Sequence, residues 1–336
     1  MNLIPLVLLP RRYFAETRDG WSLALYRYEQ RRPIPSQSPV ICCHGLGSNR
    51  YNVDAPGKYS LARYLHQRGF DTWVLELRGA GNSRRRVGRL HRKTVTYDWN
   101  FDDHVHHDVP ATLRLVRAET GHEDVHWVGH SMGGMVGYAF LTVAAQHHLR
   151  SLTAIGSPTF SGMRSNYLDW AVHLRGLLKI LDRLPYRTSL RMLSPVVVLL
   201  RKQLTDLFAN PENLDPWLMQ QLIFLALSDL PTSLMRQFLD WYVAHDFRGW
   251  YGTHSYKENM QNIHVPVHII AGSMDKLTPP HDLRYVYDHL ASSDKQFTLF
   301  GKERGHTTDY GHVDLVLGKR APDEVFPEVA NWLLNR

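Results

Sequence analysis

The stretch Val128-Gly129-His130-Ser131-Met132-Gly133-Gly134 constrains this chain more than any other. It reads G-x-S-x-G and is framed on both sides. Upstream, Val125-His126-Trp127-Val128 is a short β-branched and aromatic run, which predicts a buried strand. Downstream, residues 132–149 are rich in Ala, Leu and Met and contain no Pro, which predicts a helix. A serine caught between the two sits on a tight turn with strained dihedrals. Side chains two positions before and after it would collide there, and Gly129 and Gly133 remove them. Such a turn lifts the hydroxyl out of the sheet and sets it at a helix N-terminus, where developing negative charge is favoured.

The rest of the chain repeats this strand-to-helix rhythm. Residues 13–17 and 21–28 alternate in strand fashion around Asp19-Gly20, a hairpin signal. Strands are expected at 40–43, 71–77, 152–155, 265–271 and 296–300. Helices are expected at 59–69, 101–121 (interrupted near its start by Pro110), 280–291 and 321–334. Alternating strands and helices imply a mostly parallel sheet with helices on both faces. The rhythm breaks over residues 160–255, which are apolar, helical in character and punctuated by Pro185, Pro195, Pro211, Pro216 and Pro231. The reading is an α/β core in two parts, 1–159 and 256–336, with a helical cap or lid inserted between them over the carboxyl ends of the strands.

Composition narrows the function. With 336 residues, 43% hydrophobic and 21% charged, the chain has the makings of a large core. Much of its formal net charge of +7 lies between Arg84 and Lys93, without an interleaved aromatic residue, so a solvated loop is expected there and nucleic-acid binding is not. Cys42 and Cys43 are adjacent and on a strand would point to opposite faces, so they make poor disulfide partners. Residues 1–10 are apolar but too short to span a bilayer and lack a basic flank. They read as a packing arm, with a weak membrane-surface contact left open. A cytoplasmic protein, peripheral to membrane at most, is the expectation.

Chemistry should gather beyond the carboxyl ends of the strands. The groups expected there are His44-Gly45-Leu46, Ser131, Asp275, and His306 or His312. A serine hydroxyl needs a base to become a nucleophile, a histidine can take and return the proton, and a carboxylate fixes the histidine tautomer. The backbone N–H groups of Leu46 and Met132 could hold an oxyanion. Two other patterns carry less. His104-Val105-His106-His107-Asp108 lacks the sixth-position histidine of the metallo-hydrolase pattern, because Val109 stands there. Gly79 and Gly81 fail the dinucleotide motif at Arg84.

The chain resembles the α/β-hydrolases of the lipase/esterase kind, and is most similar to the acid-lipase branch that includes gastric and lysosomal lipases. The residues that carry this are Thr17-Arg18-Asp19-Gly20-Trp21, His44-Gly45-Leu46, Trp99-Asn100-Phe101-Asp102-Asp103, Asp108-Val109-Pro110-Ala111-Thr112, Val128-Gly129-His130-Ser131 and Gly311-His312-Val313-Asp314 with Ala321-Pro322. The resemblance implies a cofactor-free serine hydrolase that cleaves small-molecule or lipid esters with a hydrophobic acyl part through Ser131, Asp275 and a histidine. His312 is preferred to His306 because it lies in the segment that resembles the family's catalytic-histidine segment. Two other functions stay open. One is an acyltransferase on the related scaffold of polyhydroxyalkanoate synthases, which carry a cysteine where this chain has Ser131. The other is a catalytically silent binding protein.

Overall fold

The computed structural model describes residues 9–30, 37–87, 92–162, 181–192 and 207–336, together with positions 169, 172, 173, 176 and 178. Most of the expected N-terminal arm and part of the expected insertion therefore lie outside the described residues. Leu9, at the start of the described chain, is exposed.

One sheet of ten strands organises the described residues. In chain order its strands are β1 (Arg11–Glu16), β2 (Trp21–Tyr28), β3 (Val40–Cys43), β4 (Thr72–Leu75), β5 (Arg84–Val87), β6 (Arg92–Thr94), β7 (Val125–His130) and β8 (Leu149–Ile155). A small hairpin of β9 (Arg183–Leu184) and β10 (Leu230–Pro231) stands apart, and β11 (Val267–Gly272) and β12 (Lys295–Phe300) complete the sheet. The spatial order is β12-β11-β8-β7-β3-β4-β2-β5-β6, with β1 also paired to β2. From β12 to β4 every pairing is parallel, and beyond β4 every pairing is antiparallel.

Both faces of the sheet are covered, as the continuous apolar strands require. Ile41 and Cys43 pack on one face with helices Val109–Thr120, Met132–Val143 and Pro280–His289. Val40 and Cys42 pack on the other with helices Leu61–Gln67 and Ala321–Leu334. The two cysteines are buried and unbridged.

Three local expectations are corrected. The described parts of the arginine-rich stretch are strands rather than the expected solvated loop. Arg84–Val87 and Arg92–Thr94 form an antiparallel pair that extends the sheet beyond β2. The open edge of β2 has backbone groups to satisfy, and a charged strand there discourages pairing with another molecule. The helix after Ser131 stops at Val143 rather than 149, because the chain must return to start β8 at Leu149 opposite Val125. The break expected at Pro110 is a single π-turn over His104–Asp108, where the Val109 N–H donates to the His104 carbonyl. Proline lacks a donor and crowds the carbonyl four residues back, so the turn before it widens.

That π-turn supplies the interior with Asp108. Its Oδ1 accepts from Arg78 Nε at 2.9 Å and its Oδ2 from the Arg78 N–H at 3.1 Å, while His104 Nδ1 lies 2.8 Å from Oδ2. All three side chains are buried. Asp108→Ala should cost about 1–3 kcal/mol of stability, because it leaves the Arg78 Nε and N–H without their buried acceptor while Asp19 still balances the charge. Urea denaturation of the variant measures this, and an unchanged midpoint would show the pair to be dispensable.

Candidate active site

The parallel strands end in register. Cys43 of β3 is opposite Gly129 of β7, His130 is opposite Ile155 of β8, and Ile155 is opposite Ile270 of β11. The residues that follow them therefore share one edge: His44-Gly45-Leu46, Ser131, Gly156 and Ser273-Met274-Asp275.

Ser131 has φ 54° and ψ −121°, a left-handed conformation that is strained for a side-chain-bearing residue. Its surroundings hold it there. The Ser131 N–H donates to the Ile155 carbonyl at 2.8 Å. A Cβ on Gly129 would come 2.3 Å from the Gly133 carbonyl carbon, and one on Gly133 would come 2.5 Å from the Cys43 carbonyl oxygen. Both glycines are thus demanded by close backbone approach.

The loop after β3 is set by His44. The Leu77 N–H donates to His44 Nε2 at 3.2 Å, which leaves the proton on Nδ1 to donate to the Gly45 carbonyl at 2.8 Å. Burial lowers the His44 pKa to about 4, so the neutral ring that this pattern needs is the stable one. With the Gly45 oxygen held on the His44 side, the planar trans peptide turns the Leu46 N–H the other way. A Cβ on Gly45 would lie 3.1 Å from Ser131 Cβ, so this peptide abuts the serine turn. Met132 opens helix Met132–Val143, where first-turn N–H groups lack intrahelical acceptors.

Asp275 and His312 meet directly, with His312 Nδ1 2.9 Å from Asp275 Oδ2, and both are buried. Three further donors fix the carboxylate: Thr278 Oγ1 to Oδ2 at 2.5 Å, and the N–H groups of Leu277 and Thr278 to Oδ1 at 2.9 and 2.7 Å. A proton held on Nδ1 makes Nε2 the basic nitrogen of His312. The pair lies beside the serine turn. A Cβ on Gly156, the residue after Ile155, would be 3.2 Å from His312 Nδ1, and the ring of His130 lies 4.9 Å from that of His312. His306 is elsewhere. Its Nδ1 faces the Gly301 backbone, 3.1 Å from the carbonyl oxygen, and its ring lies against Phe300.

Several supporting residues escape a reading of the sequence. His130 reaches Asn52 Oδ1 through Nδ1 (3.0 Å) and the His312 carbonyl through Nε2 (3.1 Å), and Asn52 Oδ1 also accepts the Gly45 N–H at 2.9 Å. Burial, with His312 beside it, lowers the His130 pKa to about 3, so the ring stays neutral and its single N–H donates to one of these two oxygens at a time. Nothing local marks Asn52. Thr278 did have a signal, since a threonine three residues after an aspartate and before a proline is a turn pattern. Among the described residues, the only potential metal ligands that cluster are Asp19, Asp103 and His107. Arg78 already reaches both carboxylates, 2.8 Å from Asp19 and 3.6 Å from Asp103, and supplies the positive charge.

Residues 38–318 match the family model of the α/β hydrolase fold. The chain belongs to this family. Among its relatives, a tear acid lipase-like protein of Mesocricetus auratus is 32% identical over 129 residues, which are 37% of this chain and 32% of that protein. In that match the α/β hydrolase described here spans about a third of its relative's length. Gastric triacylglycerol lipase of Bos taurus is 24% identical over 352 residues, covering 94% of this chain and 86% of that protein. Among solved structures, a thermophilic esterase from Thermogutta terrifontis superposes with a TM-score of 0.63 at 15% identity, over 97% of this chain and 98% of that one, which is a likeness of fold. Both of these relatives carry the name of a lipase, and the solved structure that of an esterase.

Proposed function

We propose that this protein hydrolyses carboxylic esters with a hydrophobic acyl part, with Ser131 as nucleophile, His312 as general base and Asp275 as the residue that orients it. The observation that carries this reading is the buried Asp275–His312 pair beside a strained serine turn. In this mechanism Ser131 Oγ attacks the ester carbonyl carbon while His312 Nε2 takes its proton. The carbonyl oxygen becomes an oxyanion held by the N–H groups of Leu46 and Met132. The C–O bond to the leaving alcohol then breaks, and His312 returns the proton to that alcohol. Water attacks the acyl-enzyme with His312 again as base, which releases the acid and restores Ser131. The Asp275 carboxylate stabilises the imidazolium.

Residues 160–255 serve as the acyl-binding cap in this reading. Two features support the role. Part of this insertion touches the loop after β3: Asn49 Nδ2 donates to the Leu225 carbonyl at 2.8 Å, and the Ser228 N–H donates to the Gly47 carbonyl at 2.9 Å. Helix Pro216–Leu225 also exposes Trp217 (71%) and Phe224 (49%) to solvent. Relatives named for triacylglycerol and acid lipases favour lipid esters. A cytoplasmic setting, peripheral to membrane at most, belongs to the same reading and rests on the two unbridged cysteines. Among the described residues, no helix is long and apolar enough to cross a membrane.

The test is a series of p-nitrophenyl esters of graded acyl length, assayed with wild-type protein. kcat/KM should rise with each added methylene, by up to about 0.8 kcal/mol or fourfold per buried CH2, until the site is filled. A profile that is highest for acetate and falls steadily with length would remove the acyl-binding role of 160–255.

A further inference from the structure

The insertion also touches the other side of the site, along the loop that carries His312. There the Val313 N–H donates to the Phe208 carbonyl at 2.8 Å, and the Lys319 N–H donates to the Asn213 carbonyl at 2.6 Å. Asn210 Nδ2 donates to the Asp309 carbonyl at 2.8 Å. Gly311 packs so tightly on this segment that a Cβ there would fall 2.6 Å from Ala209 Cα.

Asp314 is the centre of this seam. Its Oδ1 accepts the N–H groups of Gly311 and Asn210, each at 3.0 Å, and its Oδ2 accepts from Asn213 Nδ2 at 2.9 Å. The side chain is 0% exposed. These partners are all neutral amides, and burial pushes the carboxyl pKa up to about 6. A buried carboxylate is a costly way to join two segments that apolar residues could join. What it provides instead is direction, because a carboxylate fixes the N–H of the residue before His312 where a methyl group would let it drift.

We propose that segment 208–214 of the insertion is a positioning element for His312, acting through Asp314 and the N–H of Gly311. This rests on the reading of His312 as general base. Residues 160–255 then hold two separable parts. One faces the loop after β3 and the substrate, and the other, at 208–214, keeps the base in register with Ser131. Excising the whole insertion would lower turnover itself, and not only change preference among acyl chains.

The experiment uses the full chain with Asp314→Ala, Asn213→Ala, Asp314→Asn and the double alanine variant, beside His312→Ala, with melting temperatures recorded throughout. Displacing a catalytic group by about 1 Å costs about a hundredfold. Asp314→Ala should therefore lower kcat about a hundredfold with KM held within about threefold, and should slow phosphonate labelling of Ser131 in proportion. Asn213→Ala, in the insertion, should lower kcat about tenfold. Asp314→Asn keeps the Oδ1 acceptor for both backbone N–H groups but sets its NH2 against Asn213 Nδ2, so it should recover to about the tenfold loss of Asn213→Ala. The double variant should be no slower than Asp314→Ala, because both changes break one network. Folded Asp314→Ala or Asn213→Ala proteins with wild-type kcat, or losses confined to KM, would overturn the proposal. If Asp314→Ala does not fold, Asn213→Ala decides it by the same criteria. An active His312→Ala enzyme is a distinct result, since it removes the base assignment itself.

Discussion

Ser131→Ala should abolish ester turnover, lowering kcat about a millionfold, while the protein still folds. The expected loss is this large because, in the proposed mechanism, the serine oxygen is the atom that forms the acyl-enzyme bond. The fold should survive because the turn is held by backbone. The Ser131 N–H bonds to Ile155, the side chain makes no capping hydrogen bond, and the glycine contacts at 129 and 133 are untouched. Alanine inherits the same left-handed strain as serine, so stability should change by less than about 0.5 kcal/mol. Ester hydrolysis together with mass spectrometry of phosphonate labelling reads both halves of the expectation. Turnover that persists in a folded Ser131→Ala protein would sink the mechanism.

His312→Ala should lose as much as Ser131→Ala, about a millionfold in kcat, whereas His306→Ala should stay within about tenfold of wild type. Only His312 is bonded to Asp275, and only its ring lies beside the serine turn. His306 is engaged with Gly301 and Phe300, so its removal should loosen the start of the loop and leave the base in place. Asp275→Asn should fall between them, at about ten-thousandfold, because an amide cannot hold the proton on Nδ1 as the carboxylate does. Parallel kinetics of the three variants make the check. Equal activity of the two histidine variants would mean that neither ring is the base.

Much of this was legible in the sequence because it depends on neighbours in the chain. Strand, tight turn and helix around Ser131 follow from β-branched residues, two glycines and a run of helix formers within a few positions of one another. The alternation of strands and helices fixed a parallel sheet, and a parallel sheet puts every strand's carboxyl end on one side. Asp275 could therefore be assigned to the same edge as Ser131 from its place just after β11.

What the sequence left open depends on partners distant along the chain. The arginine-rich stretch has little strand propensity of its own and pairs because the edge of β2 is there to receive it. Helix Met132–Val143 stops early because β8 must begin beside β7, which no residue near Val143 signals. Both His306 and His312 follow a glycine in one loop, and only the folded path of that loop sets His312 against Asp275. The Asn52 contact with His130, across 78 residues, and the Asp314 contact with Asn213, across 101 residues, obey the same rule. Local periodicity determines which elements form and which ends they present. The meeting of particular polar side chains is decided by closure of the whole chain, because buried donors and acceptors must find partners wherever the fold brings them together.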